Sequence, residues 1–94
     1  MAVPRLSVVM STFRRYDVLP DAINSVLTQQ NLSRQDLEVI VVDNTPPGER
    51  EHVSNANQCD QFITEDISGL SHARNIGIKA SNATLIAFLD DDAI

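Results

Sequence analysis

The sequence is poor in most of the features that mark the large functional classes. It has one cysteine, Cys59, in 94 residues. A single thiol makes neither an internal disulfide nor a zinc site, so Cys59 reads as a half-buried free thiol in a reducing compartment. Aromatics are 4% of the chain, with no tryptophan and one tyrosine. That leaves few platforms on which single-stranded bases stack. Cations are also few: seven Lys and Arg against thirteen Asp and Glu, for a net charge of −6. A general nucleic-acid binder needs a basic face, and this composition excludes one. No apolar run approaches the roughly 20 residues of a membrane-spanning helix. No basic stretch followed by an apolar one opens the chain as a secretory signal does. Without that signal, the sequons at Asn31 and Asn82 are read as chance matches. G-x-G-x-x-G and G-K-[ST] are absent, which disfavours a dinucleotide dehydrogenase and a P-loop NTPase. No Ser or Cys stands in a nucleophile elbow.

What is present is an ordinary apolar share, 43%, in a pattern that alternates strand and helix. A chain of this length makes one domain with a real core and modest stability. Residues 6–10 (LSVVM), 37–42 (LEVIVV), 61–64 (QFIT) and 84–89 (TLIAFL) read as strands. Between the first two, Asp17 is positioned to cap a helix running to about Gln30, with Pro20 tolerated in its first turn. Leu19, Ile23, Val26 and Leu27 share one helical face there. Residues 49–57 read as a weak polar helix. Ser68 or Ser71 is positioned to cap a third helix through Ala80, with Leu70, Ala73, Ile76, Gly77 and Ala80 on one face. The fold class that follows is α/β: a Rossmann-like, mainly parallel sheet of about four strands, with three helices distributed over both faces.

Right-handed crossovers send all strands of such a sheet the same way. Each segment that follows a strand therefore lies at the carboxyl edge, where open α/β sheets bind ligands. Four segments arrive there: Thr12–Arg15, Asp43–Thr45, Glu65–Ser71 and Asp90–Asp92. The last is the most unusual. Three adjacent aspartates repel one another, and a divalent cation reverses that balance. Hard carboxylate oxygens suit Mg²⁺ or Mn²⁺, which commonly share their coordination with substrate phosphates. Side chains i and i+2 of an extended strand point the same way, so Asp90 and Asp92 face one side and Asp91 the other. Taken alone, such a run reads better as a solvated acidic turn; its place after an apolar strand at the ligand edge points to a site. Arg14, Arg15 and Arg74 fall in or just past the same segments. Guanidinium groups hold phosphate oxygens bidentately, whereas as surface ion pairs they contribute little. Asp43 ends the second strand, where a carboxylate accepts from a ribose hydroxyl or a base N–H; Asp and Asn are also plain turn formers. His72 and His52 are given no role.

Read together and in order, LSVVMSTFRR, VIVVDNTPPG, GLSHARNIGIKAS and ATLIAFLDDDA resemble the family 2 glycosyltransferases, GT-A-fold enzymes that use nucleotide-diphosphate sugars. The resemblance covers essentially the whole chain but only the first half of the family's catalytic domain. It implies that Thr12 and Arg14 border the nucleotide. It implies that Asp43 and Asn44 match the acidic pair that approaches the base, with Asn second where Asp is usual. Arg74 and Asn75 match the A-R-N of a helix near the diphosphate. Asp90, Asp91 and Asp92 match the D-x-D-type motif, with Asp91 near the ribose and Asp92 holding Mn²⁺ or Mg²⁺. The implied reaction is an inverting displacement at the anomeric carbon, with UDP as the nucleotide by the family's habit and an acceptor that is not identified. The catalytic base is expected beyond Ile94. On this reading residues 1–94 form a partial donor-binding domain that lacks the acceptor half, inactive alone and prone to self-association through the sheet it exposes. The implied location is cytoplasmic, or peripheral to the inner membrane face. Two alternatives stay open: a nucleotide- and metal-binding module without catalysis, and a receiver-like signalling domain. The receiver-like domain is disfavoured because no acid stands between the first strand and Asp17.

Overall fold

The computed structural model describes residues 3–90. Four strands form one sheet: β1 (Leu6–Thr12), β2 (Leu37–Asp43), β3 (Gln61–Thr64) and β4 (Leu85–Asp90). Their spatial order is β3-β2-β1-β4, and every pairing is parallel. The chain therefore walks outward from β1 to β3, then returns to place β4 on the other side of β1. That reversal decides which face each connection covers. A right-handed crossover puts its helix on one face when the chain moves one way and on the opposite face when it moves back.

The core follows this rule. Helix α1 (Leu19–Leu27) lies between β1 and β2. Its Leu19, Ala22 and Ile23 pack on Met10, Leu37, Val39 and Val41, together with Val53 from the β2–β3 connection. Helix α2 (Leu70–Ala80) lies between β3 and β4. Its Ala73 packs on Val9, Ile40 and Val42, the residues of opposite parity. Period-2 alternation in β1 and β2 thus feeds two apolar layers. All seven residues of β2 are buried, as expected of the strand flanked on both sides and both faces. The α/β, Rossmann-like parallel sheet with helices on both faces is the architecture expected from the sequence.

Several local expectations need correction. Among the described residues there are two α-helices, not three. Residues 49–57 make no α-helix; single 3₁₀ turns form at Pro47–Glu49 and Ala56–Gln58. That stretch has little but Val53 and Ala56 to bury, so no packing offsets the cost of nucleating a helix. Helix α1 starts at Leu19 and ends at Leu27, with Val18 at the N-cap and no side-chain cap. Asp17 lies instead 3.6 Å from Arg15. Neither Ser68 nor Ser71 caps α2. Its N-cap is Gly69, at φ 132°, a conformation in which a side chain is strained. Leu70, expected on the apolar face of that helix, is 51% exposed.

The amino edge of the sheet holds a buried polar cluster. Ser7 and Glu38 are register partners. The Ser7 hydroxyl donates to Glu38 Oε1 at 2.6 Å, and the Ser81 hydroxyl donates to Ser7 Oγ at 2.6 Å. Asn82 donates to Glu38 from both its backbone N–H and its Nδ2, each at 2.7 Å. Burial pushes the Glu38 carboxyl up, but these hydrogen bonds outweigh it and hold the group below its ordinary value of 4.5. The depressed value sets the sign of its pH dependence. The stabilisation is present above the unfolded value and is lost as pH falls through the lower folded value. Thermal melts of the wild type and of Glu38→Gln should therefore converge as pH drops below 4.5. A difference in melting temperature that stays constant with pH would show that the Glu38 charge is not used.

Cys59 is half-buried, and burial, reinforced by the Asp60 charge, pushes its thiol up to about 11. Thiolate is the reactive form, so this is a packing residue.

Candidate functional site

The parallel register sets the carboxyl edge. Thr12 stands directly opposite Asp43, and the backbone of Asp90 stands opposite Ser11. The ladder continues one step further, with the Asn44 N–H donating to the Thr12 carbonyl at 2.9 Å. Three strand ends are thereby brought side by side, at the point where the strand order reverses between β1 and β4. In open α/β sheets that crevice is where ligands bind.

Asp43 is almost fully enclosed there, with 1% of its surface exposed. Its Oδ1 accepts from the Thr45 N–H at 3.0 Å, which closes a turn two residues long. Its Oδ2 accepts from the Tyr16 hydroxyl at 2.5 Å. Burial raises the Tyr16 phenol above its ordinary value of 10.0, and the bond to Asp43 adds to this. Thr12 and Thr45 are buried beside it. The Thr45 hydroxyl accepts from the Arg14 N–H at 2.9 Å, which ties the β1 loop to the β2 loop. Arg14 sits at φ 55°, a left-handed conformation uncommon outside glycine. Its guanidinium reaches Glu49 at 2.7 Å and lies 4.8 Å from the centroid of the Phe13 ring. Beside these residues opens a cleft of about 650 Å³ lined by Arg14, Arg15, Tyr16, Asp17, Glu49 and Glu51.

Asn44 has a different environment. Its Nδ2 donates to the carbonyls of Glu65 at 2.9 Å and Ile67 at 2.8 Å. Its Oδ1 accepts from the Gly69 N–H at 3.0 Å. Both donors and one acceptor position are thus spent on the loop that leads into α2. Asn44 thereby fastens the loop that leads into α2 and the Gly69 N–H at its N-cap. From α2, the Arg74 guanidinium lies 5.4 Å from the Phe88 ring of β4, and Asn75 is exposed. His72 Nε2 is 3.6 Å from Glu65 Oε2.

The candidate residues therefore separate. Thr12, Arg14 and Asp43 form one connected group on the α1 side. Asn44, Arg74 and Asn75 belong to the loop and helix on the other face. Asp90 ends β4 beside β1. Asp91 and Asp92 lie outside the described residues. Among the described residues no three His, Cys, Asp or Glu side chains form a cluster that could hold a metal ion. No helix among them is long and apolar enough to cross a membrane. On β4, Leu85 and Phe88 are 66% and 43% exposed. Sequence reasoning passed over Tyr16. The available signal was that the one tyrosine of the chain stands in a carboxyl-edge loop.

The chain is 33% identical, over 96% of its length, to the GalNAc(5)-diNAcBac-PP-undecaprenol beta-1,3-glucosyltransferase of Campylobacter jejuni. It is 35% identical, over 96% of its length, to EpsJ of Bacillus subtilis, an uncharacterized glycosyltransferase. It spans 30% and 26% of those two proteins. Among solved structures, TarS of S. aureus superposes with a TM-score of 0.62 over 94% of the chain and 16% of TarS, at 20% identity; that likeness concerns the fold. Residues 7–94 match the sequence profile of glycosyl transferase family 2. On this match, which takes in every carboxyl-edge segment, the chain belongs to glycosyl transferase family 2.

Proposed function

We propose that these 94 residues are the donor-binding part of a glycosyltransferase, taking a nucleotide-diphosphate sugar at the carboxyl edge of the sheet. The observation that carries this reading is the convergence of Thr12, Arg14 and Asp43 in one connected group beside the end of β4, at the reversal of strand order. Asp43 supplies the carboxylate that accepts from the base or ribose. Thr12 and Arg14 border the nucleotide, and the Arg14 guanidinium, half exposed, is free to trade Glu49 for a phosphate oxygen. Arg74 and Asn75 lie toward the diphosphate. Asn44 contributes by fixing the loop before α2.

The acids after β4 fit a hard divalent cation by the chemistry of their donors. Asp92 would hold Mn²⁺ or Mg²⁺, Asp91 would serve the ribose, and Asp90 would belong to the same donor-binding set. The cation, when bound, neutralises charge on the departing diphosphate. The chain's own part is to hold and orient the donor, which removes a large entropic share of the barrier. The reaction proposed is an inverting transfer to an acceptor, with the base and the acceptor site outside these residues. The names of the relatives support sugar transfer as the chemistry; UDP is the nucleotide we propose.

Calorimetric titration of UDP into the chain with Mn²⁺, then with EDTA, then into Asp92→Ala, tests the reading. Metal-dependent binding that is lost in the variant is expected. A folded chain that takes no UDP under any of these conditions would overturn it.

A further inference from the structure

Asp43 is closed from both sides. One oxygen is held by the Thr45 N–H, a backbone group fixed by the turn. The other is held by the Tyr16 hydroxyl, at the tip of a partly exposed side chain that lines the cleft. With both in place 1% of Asp43 is exposed, so no ligand reaches the carboxylate. Of the two groups only Tyr16 can leave without unfolding a strand end. The cleft formed with Arg14, Arg15, Asp17, Glu49 and Glu51 gives its ring somewhere to go.

We propose that Tyr16 is a specificity-determining positioning residue: its hydroxyl keeps the Asp43 carboxylate closed, and a nucleotide gains that carboxylate only by replacing the hydroxyl with an N–H or O–H of its own. This rests on the nucleotide reading above. It follows that ligands presenting only acceptors to Asp43 are rejected, because the displaced bond is not remade and a buried carboxylate is left short of a partner. Specificity then arises from the bond that must be broken as much as from the one that forms.

Tyr16 is the only tyrosine and the chain has no tryptophan, so selective isotope labelling gives a single set of tyrosine ring resonances that report this one side chain. The groups facing Tyr16 are Asp43, Thr45 and the backbone of Glu51, the last two acting against the upward shift. In the free chain the ring should titrate above 10.0, and in Asp43→Asn it should move back down. Adding UDP with Mn²⁺ should shift the ring resonances. Tyr16→Phe should bind UDP about tenfold more tightly, since a hydrogen bond to a charged group no longer has to be broken. Circular dichroism verifies that each variant is folded. Equal affinity in wild type and Tyr16→Phe, with ring resonances unmoved by bound UDP, would overturn the role of Tyr16 while leaving the nucleotide site in place. Weaker binding by Tyr16→Phe with unmoved resonances would also overturn it, because the hydroxyl would then support the site rather than close it. An unchanged ring titration in Asp43→Asn would remove the contact itself. Absence of UDP binding in both folded proteins would overturn the nucleotide reading and this proposal with it.

Discussion

Replacing Gly77 with alanine is expected to lower the melting temperature by roughly 10 °C, at about 4–8 °C per kcal/mol for a domain of this size. The reason is the contact between α2 and the sheet. A Cβ at position 77 would lie 2.2 Å from Val9 Cγ1, 3.1 Å from its Cγ2 and 3.2 Å from its Cβ. Val9 is fully buried, and its branched side chain has little rotational freedom to move aside. The helix must therefore rise off β1 and loosen Ala73 from Val9, Ile40 and Val42. Overpacking of this kind costs about 1–3 kcal/mol and occasionally more. Alanine recovers roughly 1 kcal/mol of helix propensity, which limits but does not reverse the loss. Gly48 serves as the control: nothing lies within 4 Å of a Cβ there, so Gly48→Ala should melt like the wild type. A double-mutant cycle sharpens the test. Val9→Ala removes the atoms that clash, so Val9→Ala combined with Gly77→Ala should be less unstable than the sum of the two changes. Strict additivity would mean that the close approach at Gly77 is not what holds the helix in place.

Asn44→Ala should destabilise the fold by about 1–3 kcal/mol, the range for leaving polar groups without partners. Its larger effect should be local. The side chain makes three hydrogen bonds to the segment 65–69, and that segment sets the start of α2. Without it, Gly69 keeps no side-chain tether and the first turn of α2 should fray. Hydrogen exchange at the Gly69 amide reads this directly: exchange should accelerate in Asn44→Ala. Asn44→Asp is the informative partner, because a carboxylate still accepts from the Gly69 N–H but has no hydrogen for the two carbonyls and is repelled by them. It should protect Gly69 better than alanine while remaining less stable than the wild type. If Gly69 exchanged at the wild-type rate in Asn44→Ala, Asn44 would be free to face a ligand, and its part in the site would have to be redrawn.

Much of the fold is legible along the chain. The runs LSVVM, LEVIVV, QFIT and TLIAFL became the four strands with shifts of only one or two residues at their ends. The face of Ala73, Ile76, Gly77 and Ala80 became the underside of α2. These readings worked because apolar periodicity is a local record of which side is buried. The helix expected over residues 49–57 did not form, since its residues had no apolar stripe for a neighbour to cover. The caps expected of Asp17, Ser68 and Ser71 did not form either. A capping residue has the right chemistry at many positions, and sequence alone does not say at which of them the backbone turns into the helix.

By itself, then, the sequence determined the α/β class, the parallel sense of the sheet, the family and the segments after β1, β2 and β3 that meet at the carboxyl edge. Each of these depends on patterns or ordered motifs that one stretch of chain carries within itself. Only the tertiary structure decided the strand order, the closing of Asp43 by Tyr16 and the use of Asn44 as a clasp on α2. The last two rest on pairs of residues 21 to 27 positions apart. Tyr16 carries no mark of Asp43, nor Asn44 of Gly69. Their hydrogen bonds exist because the parallel register and the crossovers bring the strand ends to one place.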